Sequence, residues 1–176
     1  MGADVSRALN QVHRIESLCD FLQHEGIKTA VDQSVPVTMP HDIGSLGFDT
    51  PLWIGLGIVG LWAALDAYAE RSGLNVSKCP ACGGRTCLVR RFKLDASGSK
   101  VVGELEDLRH LFAHNFAGHA DAQYFSKKGR HVLISGTSYP LSSGALFDGT
   151  NIQLGAPQLR YYAKESAQIL KRFVSA

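Results

Sequence analysis

Hydrophobic residues recur along the chain mainly with the period of an α-helix. From Val5 to Leu22 they follow one another every three or four positions, so that they share one face of a helix. The same periodicity, together with helix-capping residues, predicts three further helices. The four predicted helices cover residues 5–25, 52–72, 99–116 and 157–174.

Turn-forming residues predict where these helices begin and end. Gly26 is the predicted end of the first helix, and a long connection without apolar periodicity follows over 27–50. Thr50 is a suitable N-cap for the second helix, with Pro51 at its first helical position and Gly73 at its end.

The second helix is apolar on all sides over its first four turns, which predicts a central place in a bundle or at a subunit interface. Gly55, Gly57 and Gly60 each lower its intrinsic stability by up to ~1 kcal/mol relative to alanine, and close approach of neighbouring helices is one reason to keep them. The three glycines also match the dinucleotide-binding fingerprint G-x-G-x-x-G. Neither a preceding strand nor a following acidic residue supports that match, so a nucleotide-cofactor protein is the less favoured interpretation.

Residues 74–100 form a predicted polar insertion between the second and third helices. Cys79, Cys82 and Cys87 have the spacing of a zinc knuckle, in which a Cys-x-x-Cys turn presents two thiolates and a third cysteine follows. Incidental thiols without a metal are the equally open alternative. Cys19 is expected to be a buried core thiol. Candidates for a fourth zinc ligand are therefore His24, His41 and His119.

The same insertion is locally basic. Lysine and arginine side chains there suit contacts with the phosphate backbone of RNA, because they would release its counterions. A solvated loop without a ligand is the alternative. The candidate RNA-binding residues are Arg85, Arg90, Arg91 and Lys93.

After residue 124 the hydrophobic pattern changes. Short apolar runs at 132–134, 145–147 and 152–154, with the turn dipeptide Asp148-Gly149, predict a small β elaboration over 124–155. The predicted fold class is therefore mainly α. We expect a four-helix up-and-down bundle, with the Cys-rich insertion between helices 2 and 3 and the β elaboration before helix 4.

The third helix carries the residues with the most informative chemistry. Leu105, Leu108 and Phe112 share the predicted core face, whereas His110 and His114 lie one turn apart on the opposite side, where we expect them to point outward. Two histidines at this spacing also form a common bidentate metal pair. The interpretation as a metal site is less well supported here, because no carboxylate lies on the same face one turn away.

Arg109 lies at the flank of this helix, and the run Arg109-His110-x-x-x-His114 resembles the signature of the HEPN family (higher eukaryotes and prokaryotes nucleotide-binding domain). That signature is an Arg and a His separated by a short run that begins with a polar residue. The resemblance implies a single HEPN-like domain over 1–176 that acts as a homodimeric, metal-independent endoribonuclease. Arg109 and His114 would be the catalytic pair, and His110 the assisting residue.

The resemblance also implies a setting in defence, in a toxin–antitoxin pair or in RNA processing, with RNA and an antitoxin or regulatory protein as partners. Many members of the family have lost activity and bind RNA or proteins instead, which is the alternative function. In the toxin branch a Tyr usually stands two residues after the His. Phe116 occupies that position here, so no hydroxyl is available there for modification.

The chemistry of RNA cleavage suits these side chains. RNA carries its own nucleophile, the 2′-OH, so the protein has only to transfer protons and stabilise charge on phosphorus. An imidazole exchanges protons near neutral pH, and a guanidinium offers fixed donors to phosphate oxygens. Arg109 and His114 are about 140° apart on an ideal helix. We therefore expect a flexible Arg109 side chain, a distorted last turn near Asn115 or a second copy of the chain to bring them together.

Length and composition fit one ordinary globular domain. The chain has 176 residues, a formal net charge of +2, 45% hydrophobic residues and 19% charged residues. The mild charge does not by itself indicate nucleic-acid binding. The N-terminus has no apolar signal core, and the uncharged run between Asp49 and Asp66 is shorter than the ~20 residues that cross a bilayer. We therefore expect a cytoplasmic protein without membrane contact.

Overall fold

The computed structural model describes residues 2–32, 50–74, 87–114, 139–144, 146–147 and 154–173. These residues are mainly helical, which confirms the predicted α class. The helices are α1 (Gly2–Asp32), α2 (Thr50–Arg71), α3 (Leu88–Arg91), α4 (Ala96–His114) and α5 (Ala156–Lys171). Two short strands, β1 (Tyr139–Pro140) and β2 (Leu146–Phe147), pair with each other.

The first helix is longer than predicted. It runs from Gly2 to Asp32, so it continues through Gly26, where we expected it to end. A glycine ends a helix when it takes a left-handed backbone conformation, but Gly26 keeps helical backbone. In the interior of a helix it costs only about 1 kcal/mol, which a long helix tolerates.

The second helix ends as predicted, at Gly73. This glycine has a φ of 65°, a left-handed conformation that favours glycine. Its N–H donates to the Glu70 carbonyl (3.1 Å), and the Leu74 N–H donates to the Ala69 carbonyl (2.9 Å). These two bonds form a Schellman motif, which satisfies the last carbonyls of the helix.

The end of the predicted polar insertion belongs to the folded core. Cys87, Leu88 and Phe92 are all buried. They lie in and directly beside α3, which is a single helical turn. Lys93 ends this turn with a φ of 49°, in the position that Gly73 occupies after α2. A bulky residue in this conformation is unusual. Here the N–H of Lys93 donates to the Arg90 carbonyl (3.2 Å), which closes the turn.

The fourth helix begins at Ala96 rather than at Ser99. Asp95 precedes it, and the Gly98 N–H donates to its carboxylate oxygen Oδ1 (2.7 Å). An aspartate in this position accepts a hydrogen bond from one of the unpaired N–H groups in the first turn. Its negative charge also interacts favourably with the positive end of the helix dipole. Asp95 is therefore the signal for the start of α4.

The last helix begins where Pro157 predicts it. Pro157 lies in the first turn, where its missing N–H leaves no hydrogen bond unmade. Gly155 precedes the helix, and its N–H donates to Oε1 of Gln158 (3.0 Å).

The second helix is the centre of the packing, because α1, α4 and α5 all contact it. Three glycines of α2 allow this, since each receives a side chain from a different helix. A Cβ atom at these glycines would lie between 2.6 and 3.1 Å from the nearest atom of that side chain. The contacts are Gly55 with Phe112 of α4, Gly57 with Leu159 of α5 and Gly60 with Ile15 of α1.

These contacts explain the glycine pattern without a nucleotide. The G-x-G-x-x-G run lies inside α2, whereas the dinucleotide-binding fingerprint requires a turn between a strand and a helix. Close helix approach, the reason that the sequence suggested, is therefore confirmed for all three glycines.

The fourth helix is buried on more than one side. Its predicted core face is confirmed, since Leu105, Leu108 and Phe112 are all buried. Asp107, however, lies toward the opposite side and is only 1% exposed. His110 is half-buried. The expectation that this side of the helix faces solvent is therefore wrong for His110.

The two strands form a short antiparallel ladder, with Tyr139 opposite Phe147 and Pro140 opposite Leu146. Gly144, in the turn between them, has a φ of 81°. The remainder of the predicted β elaboration over 124–155 lies mostly outside the described residues, so this ladder does not establish its extent. In the described part of the chain, every helix is too short or too polar to cross a membrane.

The glycine contacts predict that alanine destabilises the fold at Gly55 but has little effect at Gly60. Gly55→Ala places a methyl group 2.7 Å from the Phe112 ring, and we expect it to lower the free energy of unfolding by about 1–2 kcal/mol. Gly60→Ala meets only the flexible end of Ile15 at 3.1 Å, so its gain in helix propensity of up to ~1 kcal/mol should offset that contact. Urea unfolding of both variants measures the difference, and equal stabilities would contradict the packing account.

Candidate active site on helix α4

Arg109 and His110 contact each other directly. The guanidinium Nη2 of Arg109 lies 3.0 Å from the imidazole Nε2 of His110. Since a guanidinium can only donate, Nε2 must accept this hydrogen bond. The contact therefore requires the neutral form of His110 with its proton on Nδ1. Two of the residues predicted to carry the chemistry, which are neighbours in the sequence, thus have their side chains in contact.

Trp62 of α2 holds the other side of the guanidinium. The central carbon of the Arg109 guanidinium lies 4.0 Å from the centroid of the Trp62 ring, which is a cation–π contact. Such a contact contributes about 0.5–2 kcal/mol, depending on how far it is shielded from water. The Arg109 Nε is buried and makes no hydrogen bond with any residue that the structure describes. This guanidinium therefore retains donor capacity beyond its bond to His110.

Asp66 of α2 places a negative charge near this site and binds a second arginine. The Nη1 atom of Arg91 lies 3.0 Å from Asp66 Oδ1, and Arg91 Nε donates to the Leu74 carbonyl (2.7 Å). Burial raises the pKa of Asp66, and the nearby charges of Arg91 and Arg109 oppose that rise. The positive charge of Arg109 thus acts on the same carboxylate as Arg91.

Arg91 was predicted to contact RNA, but its burial does not agree with that prediction. Its side chain is only 3% exposed, and its guanidinium is engaged by Asp66 and by the carbonyl at the end of α2. Arg90 and Lys93, by contrast, are exposed on and after α3. Arg85 lies outside the described residues.

The predicted metal ligands are described only in part. Cys79 and Cys82 lie outside the described residues, and Cys87 is buried at the start of α3. Cys19 is fully buried in α1, as expected, and burial raises the pKa of its thiol to about 11. Within the described ranges, no group of three or more His, Cys, Asp or Glu side chains could hold a metal ion. The zinc site stays a prediction.

His114 is the last residue of α4. Its side chain lies outside the described residues, as does Phe116. The second histidine of the predicted site therefore stays a prediction as well.

Glu104 forms a polar cluster that the sequence pattern did not reveal. Its carboxylate is fully buried, yet it accepts hydrogen bonds from the Ser142 N–H, the Ser142 hydroxyl and the Tyr162 hydroxyl, all at 3.0 Å. These partners are 38 and 58 residues away along the chain. One carboxylate of α4 thereby fixes the turn between the two strands and contacts α5.

The cluster changes the titration of its members. Burial raises the pKa of Glu104, and the hydrogen bonds from Ser142 and Tyr162 and the charge of Lys100 oppose that rise. Burial and the adjacent Glu104 carboxylate raise the pKa of Tyr162 far above its usual range. Tyr162 is therefore a hydrogen-bond donor at every physiological pH.

No family model, curated protein or solved structure matches the chain. The functional assignment therefore depends on the residues and geometry of the chain itself.

The raised pKa of Glu104 predicts a pH-dependent stability. A carboxyl group whose pKa is higher in the folded state than in the unfolded state stabilises the fold most at low pH, and this contribution is lost as the pH rises through the folded-state pKa. The stability of the wild type relative to Glu104→Gln should therefore be greater at about pH 4 than at about pH 8. Urea unfolding across this range measures the difference. Parallel curves for the wild type and Glu104→Gln would show that the buried carboxylate does not titrate as its surroundings require.

The cysteine spacing predicts about one zinc ion per chain in the purified protein. The double variant Cys79→Ser/Cys82→Ser should lose it, because two of the predicted ligands are removed. Cys19→Ala should retain it, since Cys19 is a fully buried core residue of α1. Elemental analysis of the three proteins checks this, and equal metal contents would contradict the predicted ligands.

Proposed function

We propose that this protein is a metal-independent endoribonuclease whose site is built around Arg109 and His110. The observation that supports the proposal is the direct contact between the two side chains, 3.0 Å from Nη2 to Nε2. It joins a permanent positive charge to a group that exchanges protons near neutral pH. These are the two chemical functions that cleavage of RNA through its own 2′-OH needs.

Arg109 is the phosphate-binding group of the proposed site. Its Nε donor is buried and makes no hydrogen bond within the described part of the chain, so it becomes available to a phosphate when the guanidinium turns away from its present position over Trp62. A guanidinium matches the oxygens of a phosphate with two parallel hydrogen bonds. As the charge on the phosphorane oxygens increases, these bonds strengthen, which lowers the barrier.

Binding of the phosphate also prepares the base. In the structure, Nε2 of His110 accepts a hydrogen bond from Arg109. When the guanidinium turns to the phosphate, this nitrogen becomes available to take the proton from the 2′-OH. The 2′ oxygen then bonds to phosphorus and the bond from phosphorus to the 5′ oxygen breaks. The leaving 5′ oxygen takes a proton from His114 in its protonated form.

The proposed fold is of HEPN type, a four-helix up-and-down bundle with the cysteine insertion and the β elaboration outside the bundle. The contacts of α1, α2, α4 and α5 support this proposal, as does the position of Arg109 and His110 near the end of α4. The proposal includes a homodimer, in which the motif of a second copy completes the cleft. Trp53 and Leu56 of α2, which are 40% and 47% exposed, offer apolar surface for such a copy.

Binding of RNA without cleavage is the second candidate. It is favoured by the stacking of Arg109 on Trp62, which would also stabilise α4 against α2 in a protein without activity. Both candidates use the same guanidinium, so the formation of product separates them.

The proposed roles predict the outcome of three substitutions. Arg109→Ala and His114→Ala should each abolish RNA cleavage, and His110→Gln should reduce it by about 100-fold or more, because general acid–base groups contribute at least that much. Cleavage of a mixed RNA pool is measured in the presence of a chelator. The products should carry cyclic or 3′-phosphate ends.

His13→Ala is the matched control, since His13 is a surface histidine whose side chain is 53% exposed and paired with Glu16. It should cleave as fast as the wild type, and circular dichroism should show that all variants keep their helices. Full activity in Arg109→Ala or His114→Ala would refute the assignment. Tight RNA binding without any cleavage by the wild type would favour the second candidate.

A further inference from the structure

A basic groove lies on the surface between α1 and α2. Its volume is about 370 Å³, which is within the range of sites for small molecules. Small side chains together with the buried Tyr68 form its floor, and long polar side chains form its rim. The floor includes Ala8, Ala64 and Ala67, and the rim includes Arg7, Arg14 and Arg71.

The antiparallel packing of the two helices produces this shape. Asp4 of α1 lies 3.9 Å from Arg71 near the end of α2, whereas Ile15 of α1 lies against Gly60 near its middle. The chain directions are therefore opposite. Alanines from both helices meet between these two contacts, and they leave a depression because they have no atoms beyond Cβ.

The rim of the groove carries a net positive charge. Arg7, Arg14 and Arg71 against Asp4 give 3 − 1 = +2, with all four side chains lining the same groove. Arg7 and Arg14 are exposed, and neither forms an ion pair with another residue in the described ranges. They are seven residues apart on one helix, which places their Cα atoms about 10.5 Å apart along its axis.

This arrangement suits a ligand with several phosphate groups. Each guanidinium offers paired donors to phosphate oxygens, and two well-separated positive charges match an extended anion better than a single phosphate. Asn10 and Gln11, also in the groove, add amide donors and acceptors between the arginines.

The geometry points to a binding site for the polyphosphate chain of a small ligand, such as a nucleoside triphosphate, in the groove between α1 and α2. The groove uses residues of α1 and the second half of α2, whereas the proposed cleavage site uses Arg109 and His110 of α4. The inference therefore goes beyond the proposed function and does not depend on it.

Titration of the whole protein with ATP and with inorganic triphosphate, without divalent cations, tests the inference by calorimetry. We expect saturable binding that weakens as the salt concentration rises. Arg7→Gln and Arg14→Gln should each weaken binding about tenfold or more. Tighter binding of ATP would identify a nucleotide as the ligand, and equal binding would identify the polyphosphate chain alone. Either result supports the site.

Two further variants separate this groove from general electrostatic attraction. Arg172→Gln removes one positive charge from an exposed position at the end of α5, 54% exposed, and should not change the affinity. Ala67→Leu fills the floor without changing the charge and should weaken binding about tenfold or more. Circular dichroism confirms that each variant is folded.

Three results would overturn the inference. One is the lack of saturable binding to both probes. Another is an equal loss of affinity in Arg172→Gln and in the two groove arginine variants. The third is binding of a single-stranded RNA oligonucleotide, but of neither small probe, through Arg7 and Arg14. RNA cleavage is measured separately, so a failure here leaves the proposed function untouched.

Discussion

The close approach of three helices to α2 is the constraint on which the rest of the structure depends. Phe112 packs against Gly55, and this contact sets the distance between α2 and α4. Farther along the same pair of helices, Arg109 lies over Trp62. A larger residue at position 55 would move α4 outward, and the guanidinium and the indole would then separate. Gly55 thus allows the close approach of α4 to α2, on which the contact between Arg109 and Trp62 depends.

Much of the helical framework could be predicted from the sequence, because its signals are local. Gly73 correctly marked the end of α2, whose start at Thr50 lies slightly before the predicted one, and the spacing of Leu105, Leu108 and Phe112 identified the core face of α4. The residues that surround the site could not be found in this way. Hydrophobic periodicity detects one apolar face, but on the other side of α4 Asp107 is buried and His110 is half-buried.

The buried polar residues show why tertiary contacts decide the outcome. In the sequence Arg91 belongs to a basic segment and was expected at the surface. In the structure it is buried and paired with Asp66 of α2. The partners of Glu104 come from a turn and from α5. No pattern within a short window of sequence connects such residues. In the candidate site, the sequence identified Arg109 and His110, whereas Trp62 and Asp66 required the packing of α2 against α4.

The hydrogen bond from Arg91 to the Leu74 carbonyl has a consequence for the segment that contains Cys79 and Cys82. Leu74 lies immediately before that segment and Arg91 lies shortly after it. The bond, 2.7 Å from Nε of Arg91 to the Leu74 carbonyl oxygen, holds these two parts of the chain together. The two ends of residues 75–86 are therefore brought together when the core folds. Between two ends held in this way, doubling the length of a flexible segment costs only about 0.6 kcal/mol more. Insertions between the two ends would thus be tolerated by the bundle, and this part of the chain can change in length while α2 and α4 stay in place.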